Sequence, residues 1–136
     1  MSSFKTTDQN YPVDVKVTSQ NSEAYLLIDS KGVLQTKEDL FKHCQLIFDE
    51  IIKHAPQKVL INEPEMQFPP GLFSYFELVQ HYIDDFPPEI ADFKIAVVIS
   101  EKFKEIGDFW ETVCVNRGLQ YFVFYSLEDA TKWLLG

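Results

Sequence analysis

Glu63 and Glu65 are the paired carboxylates of this chain, in the stretch Asn62-Glu63-Pro64-Glu65-Met66-Gln67-Phe68-Pro69-Pro70-Gly71. Two acids in one crevice divide the roles of general acid and general base when burial or a neighbouring charge moves one pKa toward neutrality. An acidic, proline-rich loop in water supplies neither condition. Both side chains are therefore read as solvated, and no catalytic residue is assigned. A metal site would draw on Asp29, Glu63 and Glu65. No histidine joins them in the sequence, and neither HExxH nor EF-hand spacing occurs. No metal and no cofactor are expected. His43, His54 and His81 fall on predicted helices, no G-x-S-x-G elbow is present, and the five glycines form no phosphate-cradling loop. Thr36, Ser100 and Ser126 each precede a predicted helix, where a hydroxyl serves as a cap. The chain reads as non-enzymatic.

The aromatic residues near that loop carry a different chemistry. Phe68 lies in the loop, Phe76 belongs to a core stripe, and Phe73, Tyr75 and Tyr82 fall partly off it. Exposed together, such rings form a patch suited to a protein partner or a second copy of the chain. Buried, they complete the core. The candidate binding residues are Asn62, Glu63, Glu65, Phe68, Gly71, Phe73, Ser74 and Tyr75.

The elements that must position these residues follow from the hydrophobic pattern. FKIAVVIS, Phe93 to Ser100, is the organising strand. Its apolar run Ile95–Ile99 has no polar break, as a strand covered on both faces requires. It is expected in the middle of a parallel sheet. Val13–Thr18 alternates apolar and polar residues and reads as an edge strand with one wet face. Ser19–Glu23 has turn chemistry, Ala24–Ile28 is a second strand, and Asp29-Ser30-Lys31-Gly32 is a further turn. The short link makes the first two strands an antiparallel hairpin.

A helix then opens at Thr36 with Leu40, Phe41, Cys44, Ile47, Phe48, Ile51 and Ile52 on its apolar side, and Pro56 stops it. Val59–Ile61 is the third strand, and Asn62–Gly71 is the longest internal loop. Leu72, Phe76, Val79, Ile83 and Phe86 mark a second helix. Phe103, Ile106, Trp110, Val113 and Cys114 mark a third, closed by Gly118. Leu119–Tyr125 is the fifth strand, and a last helix follows from Ser126. The fold class is α/β. It is a single domain over residues 1–136 with a loose leader over 1–11. The five-stranded mixed sheet has the first strand antiparallel at its edge and strands two to five parallel in sequential order, with four helices.

Composition bounds the partners. Hydrophobic residues are 46% and aromatics 15% of the 136-residue chain, enough for one core without disulfides or metals. A net charge of −9 repels phosphate backbones, so nucleic acid is not an expected partner. Cys44 and Cys114 read as buried thiols of a reducing, cytoplasmic setting. No apolar run reaches the roughly 20 residues of a membrane span, so no membrane insertion is expected.

The pattern resembles a known group. The LxxDSKGVLQTKEDL entry to the first helix (from Leu26), the Pro-Gly-Leu motif after the third strand, IAVVIS, and the terminal FYSLEDATKWL are similar to the SpoIIAA-like superfamily. That group includes the STAS domains and is related to the Sec14/CRAL-TRIO lipid-binding fold. The resemblance covers about Val13 to Leu135. It implies a SpoIIAA-like (STAS-like) domain that works as a protein-interaction or regulatory module. The alternative it implies is a site for a lipid or small apolar ligand, and a chain this short is expected to have little spare interior volume for one. In STAS antagonists the phosphorylated serine immediately precedes the glycine of a Asp-Ser-Ser-Gly-Leu type loop. Pro69-Pro70-Gly71-Leu72 stands in that place here. Pro70 has no hydroxyl, so the phosphoserine switch is expected to be lacking. Ser74 would substitute only if the register slipped.

Overall fold

The computed structural model describes residues 15–71, 76–78, 80 and 91–136. The elements run β1 (Val15–Asn21), β2 (Leu26–Val33), α1 (Lys37–His54), β3 (Lys58–Gln67), β4 (Lys94–Ile99), a 3-10 turn (Glu101–Phe103), α2 (Lys104–Asn116), β5 (Gln120–Phe124) and α3 (Leu127–Leu135). Residues 76–78 and 80 are helical and mark the remaining helix, between β3 and β4. The leader over 1–11, Val13 and Asp14, and most of the stripe expected on that helix (Leu72, Val79, Ile83 and Phe86) lie outside the described residues.

The strands lie in the order β1-β2-β3-β4-β5. β1 pairs antiparallel with β2, and each later pair is parallel. Every parallel step moves to the next strand in the same direction, so crossovers of one hand all land on one face. One core cluster accordingly gathers Val17, Ile28, Ile61, Val97 and Leu78 with α1 and α2. The opposite face is covered over Leu60, Ala96 and Val98 by α3, through Ala130, Trp133 and Leu134. β4 is buried from Ile95 to Ile99, because its alternate residues face two different layers. Among the parallel strands β2–β5 it is one of the two inner ones, between β3 and the edge strand β5.

Helix ends follow local chemistry. The Asp39 N–H donates to Thr36 Oγ1 (3.1 Å) and the Asp129 N–H to Ser126 Oγ (3.0 Å). Ser100 Oγ accepts from the Lys102 N–H (3.2 Å) and caps the 3-10 turn ahead of α2. Ala55 takes a left-handed conformation (φ 45°) directly before Pro56, and Gly118 (φ 83°) ends α2. On the edge strand β5, the Val123 N–H donates to Glu111 Oε1 of α2 (2.7 Å). That bond satisfies a backbone donor that a foreign strand would otherwise pair with.

One expected turn is strand instead, and the turn expected over Ser19–Glu23 starts later, at Ser22, whose N–H and hydroxyl both donate to the Tyr25 carbonyl. β2 continues through Asp29-Ser30-Lys31-Gly32 to Val33, and β1 runs on through Ser19 to Asn21. The expected Asn62–Gly71 loop is also largely strand, since β3 extends ten residues to Gln67. Pro64 misleads here because proline interrupts an ordinary ladder. Asp29 pairs with Asn62 and Lys31 with Glu65, so β3 carries one more residue than β2 across this interval. Pro64 sits in that bulge, where a missing N–H is tolerated.

The two-layer burial of β4 gives a direct test. Val98→Asp places an unpaired carboxylate under α3 and should cost about 3–5 kcal/mol, from lost burial and desolvation together. Val33→Asp, at a site 42% exposed, should cost under about 1 kcal/mol. Urea unfolding followed by circular dichroism measures both, and equal losses would contradict the layer assignment.

Candidate functional site

The bulge at Glu63-Pro64 divides the predicted site residues between the two faces. Asn62 faces away from the crossover helices, and its Nδ2 donates to Asp29 Oδ1 (2.9 Å). Glu65 is exposed on that same side. It shares a shallow polar groove with Lys16, Thr18, Asp29, Lys31 and Asn62. Glu63 points the other way, into the core, and is 6% exposed. The two acids thus form no carboxylate pair, and the reading of both as solvated holds for Glu65 alone. Gly71 has φ 105°, a conformation that favours glycine. Phe68 is partly buried and meets Phe103 edge-on, with ring centroids 5.3 Å apart. Phe73, Ser74 and Tyr75 lie outside the described residues.

Glu63 survives burial because α1 supplies a partner. His43 Nε2 lies 2.6 Å from Glu63 Oε2, and His43 is 1% exposed. A charge left unpaired at that depth would cost several kcal/mol. A second pair lies farther along α1. His54 Nε2 is 2.7 Å from Glu50 Oε1, and the Ser19 hydroxyl donates to the same oxygen (3.0 Å). The sequence held a signal for both. Leu40, His43, Ile47, Glu50 and Ile51 are the buried residues of α1, and their spacing of three, four, three and one keeps them on one helical face. A histidine and a glutamate on an apolar face need interior partners. A stripe traced through apolar residues alone passes over both.

Beside the His43–Glu63 pair lies an apolar cavity of about 120 Å³. β3, β4 and β5 form its floor, through Ile61, Val97 and Tyr121 among others. α1 and α2 wall it with His43, Cys44, Ile106 and Trp110. α2 approaches the sheet closely at Gly107, where an added Cβ would lie 2.9 Å from Ile99 Cδ1 and 3.0 Å from Val123 Cγ1.

Two thiols and a phenol on the cavity wall are held protonated. Burial pushes the Cys44 thiol far above its ordinary range, with Glu63 adding to the effect. Burial likewise raises Cys114 to about 12. Burial, then Cys114 and Glu63, hold the Tyr121 phenol well above its usual value. These groups are therefore poor nucleophiles at neutral pH. Trp110 Nε1 is buried and finds no hydrogen-bond partner among the described residues. Among those residues there is also no cluster of three or more His, Cys, Asp or Glu side chains suited to a metal ion. No described helix is long and apolar enough to cross a membrane.

At the carboxyl edge of the sheet, the predicted serines at helix starts are occupied as caps. The segment after β3 is braced to the turn after β4. Lys102 Nζ donates to Gln67 Oε1 (3.2 Å), and Phe68 packs on Phe103. Val33 and Phe76 are exposed near this rim, at 42% and 47%.

No family model matches the sequence, and no curated protein aligns with it significantly. Solved structures do match its fold. An anti-sigma factor antagonist from Mycobacterium paratuberculosis superposes with a TM-score of 0.58 at 9% identity, over 92% of this chain and 97% of that one. An uncharacterised protein with a SpoIIAA-like fold from Shewanella loihica gives 0.50 at 13% identity, over 98% of each chain. The chain has the SpoIIAA-like fold: a five-stranded mixed sheet with its first strand antiparallel, and four helices.

Two outcomes test the interior chemistry. His43→Leu alone should cost about 3–5 kcal/mol by stranding Glu63, whereas His43→Leu with Glu63→Leu should recover most of that loss. Urea denaturation of both variants measures the difference, and additive losses would dissolve the pair. The second outcome concerns pH. Cys114 is raised from 9.0 to about 12, so folding keeps its proton on. That contribution is complete below pH 9 and is lost as pH rises from there toward 12. Cys114→Ala should therefore retain more of its pH 8 stability at pH 10.5 than the parent does.

Proposed function

We propose that this chain is a non-catalytic regulatory module that acts by binding a protein partner, a second copy of itself included, at the carboxyl rim of its sheet. The observation that carries the reading is Phe76, 47% exposed beside a rim whose loops are braced to each other. A large exposed ring is the kind of side chain that anchors a protein interface. The chemistry of the interior supports the non-catalytic half. The thiols and the phenol are held protonated, and Glu63 is engaged by His43. The fold supports the regulatory half, since one structure that shares it is described as an anti-sigma factor antagonist. In this reading Pro70 supplies no phosphorylation site ahead of Gly71, and the rim works without a phosphoserine switch. Gly71, beyond the end of β3, belongs to the partner-facing surface in this reading.

The test replaces Phe76 with a photo-crosslinking phenylalanine analogue in the intact chain. Irradiation in the source cells should give a protein adduct of discrete mass, while the same analogue at Glu128, on α3, should give none. Phe76→Ser should weaken the association identified in this way about tenfold or more and move Tm by no more than about 2 °C. Equal labelling at both positions, or none at Phe76, would remove the rim from consideration.

A further inference from the structure

We infer that the outer edge of β5 is a strand-pairing surface for a second copy of this chain, and that Glu111 of α2 holds it shut. The surface shares no residue with the rim around Phe76.

The strand itself supplies the first observation. Leu119–Tyr125 reads LQYFVFY, with no charged residue, no proline and no glycine. Uncharged runs of this length, rich in aromatic and β-branched residues, pair with copies of themselves when they lie on an open edge. β5 ends the sheet, with β4 on its inner side. The opposite edge has a different composition. β1 reads VKVTSQN, so a lysine and a polar second half blunt it. β5 carries no such residue of its own.

The second observation is the direction of the β5 backbone. The Val123 N–H turns away from the ladder and donates to Glu111 Oε1 at 2.7 Å. Peptide groups alternate in direction along a strand, so Tyr121, two residues earlier, presents its N–H and carbonyl along the same outer edge. An incoming strand needs the Val123 donor. A carboxylate acceptor forms a bond roughly twice as strong as a neutral carbonyl does, so the second chain does not displace it.

The third observation is the register in which two such edges fit. Tyr121 and Val123 face the core layer, and Phe122 and Phe124 face the other side against Trp133. Two copies meeting antiparallel, with Phe122 on the two-fold axis, set Tyr121 of each opposite Val123 of the other. Both pairs then exchange two backbone bonds, and the core faces of the two sheets match. The two Phe122 side chains stand opposite each other, with Cβ atoms about 4.5–5.5 Å apart. Val123 takes part in both hydrogen-bonded pairs, so the Glu111 of each copy blocks one of them.

Sedimentation velocity of the full-length chain compares the parent with Glu111→Ala, Glu111→Gln, and Glu111→Ala combined with Phe122→Lys. Glu111→Ala should self-associate at least about tenfold more tightly than the parent. Glu111→Gln keeps an acceptor in the same place and should behave as the parent does. Phe122→Lys sets like charges opposite each other on the axis and should return the Glu111→Ala chain to the parent's behaviour, whereas association through misfolding would persist or grow. Thiol crosslinking locates the contact. Phe122→Cys in the Glu111→Ala chain should form an intermolecular disulfide under diamide about tenfold faster than Thr18→Cys, on the β1 edge, does in that chain. Cys44 and Cys114 are common to both chains, so the difference reads the added thiol. Unchanged association of Glu111→Ala would overturn the inference. So would equal association of the Gln and Ala variants, failure of Phe122→Lys to restore the parent's behaviour, or equal crosslinking at positions 122 and 18.

Discussion

One extra residue in β3, at Glu63-Pro64, decides which way the rest of that strand faces. Without it, the alternation that places Asn62 outward and Glu63 inward would carry Glu65 into the core and Met66 out of it. With it, Met66 is fully buried and Glu65 lies in solvent. A single-residue slip exchanges the faces of every following side chain. Here the exchange is built in, and β2 accommodates it between Asp29 and Lys31. The ladder then resumes to Val33 and Gln67, so the strand reaches far enough to deliver Phe68 to the rim.

That arrangement leaves Glu63 as a carboxylate among aliphatic side chains, and the helix layer is built to meet it. α1 places His43 on the same face as Leu40, Ile47 and Ile51. The pair therefore fixes the rotation of α1 about its axis as well as satisfying the charge. A helix turned by one residue would rotate about 100° and strand both groups. Glu50, held by His54 and Ser19, repeats the constraint two turns later and ties α1 to β1. Polar contacts set the register of this helix against the sheet, while the apolar stripe supplies most of the burial. The specificity of polar pairs commonly costs stability relative to a well-packed apolar core, which gives the buried pairs here a positioning role.

Much of this is legible in the sequence. The unbroken run of FKIAVVIS marks a doubly covered strand, because alternate side chains meet different layers and both layers are apolar. The hydroxyls at Thr36, Ser100 and Ser126 are recognisable as caps, since capping depends on chemistry within three residues. The run beyond Ile61 is misleading. Asn, Glu and Pro are each poor strand formers, and local propensity places them in a loop. A bulge and a buried hydrogen bond override that propensity, and both depend on residues elsewhere in the chain: Asp29 to Lys31 on β2 and His43 on α1. The cavity is illegible for a related reason. Its volume depends on how closely α2 approaches at Gly107 and how far Trp110 reaches, which no composition count contains.

The rim and the cavity are physically continuous. β3 runs from one to the other, and Phe68 belongs to both. Its ring lines the cavity and also meets Phe103 at the turn after β4. Packed interiors transmit displacement because they have little slack. Phe68 therefore joins the cavity wall to Phe103 and to the neighbouring contact of Gln67 with Lys102. The SpoIIAA-like sheet thus places an interior apolar wall and an exposed strand end on the same few residues, and the bulge at Glu63-Pro64 brings both within reach of Phe68.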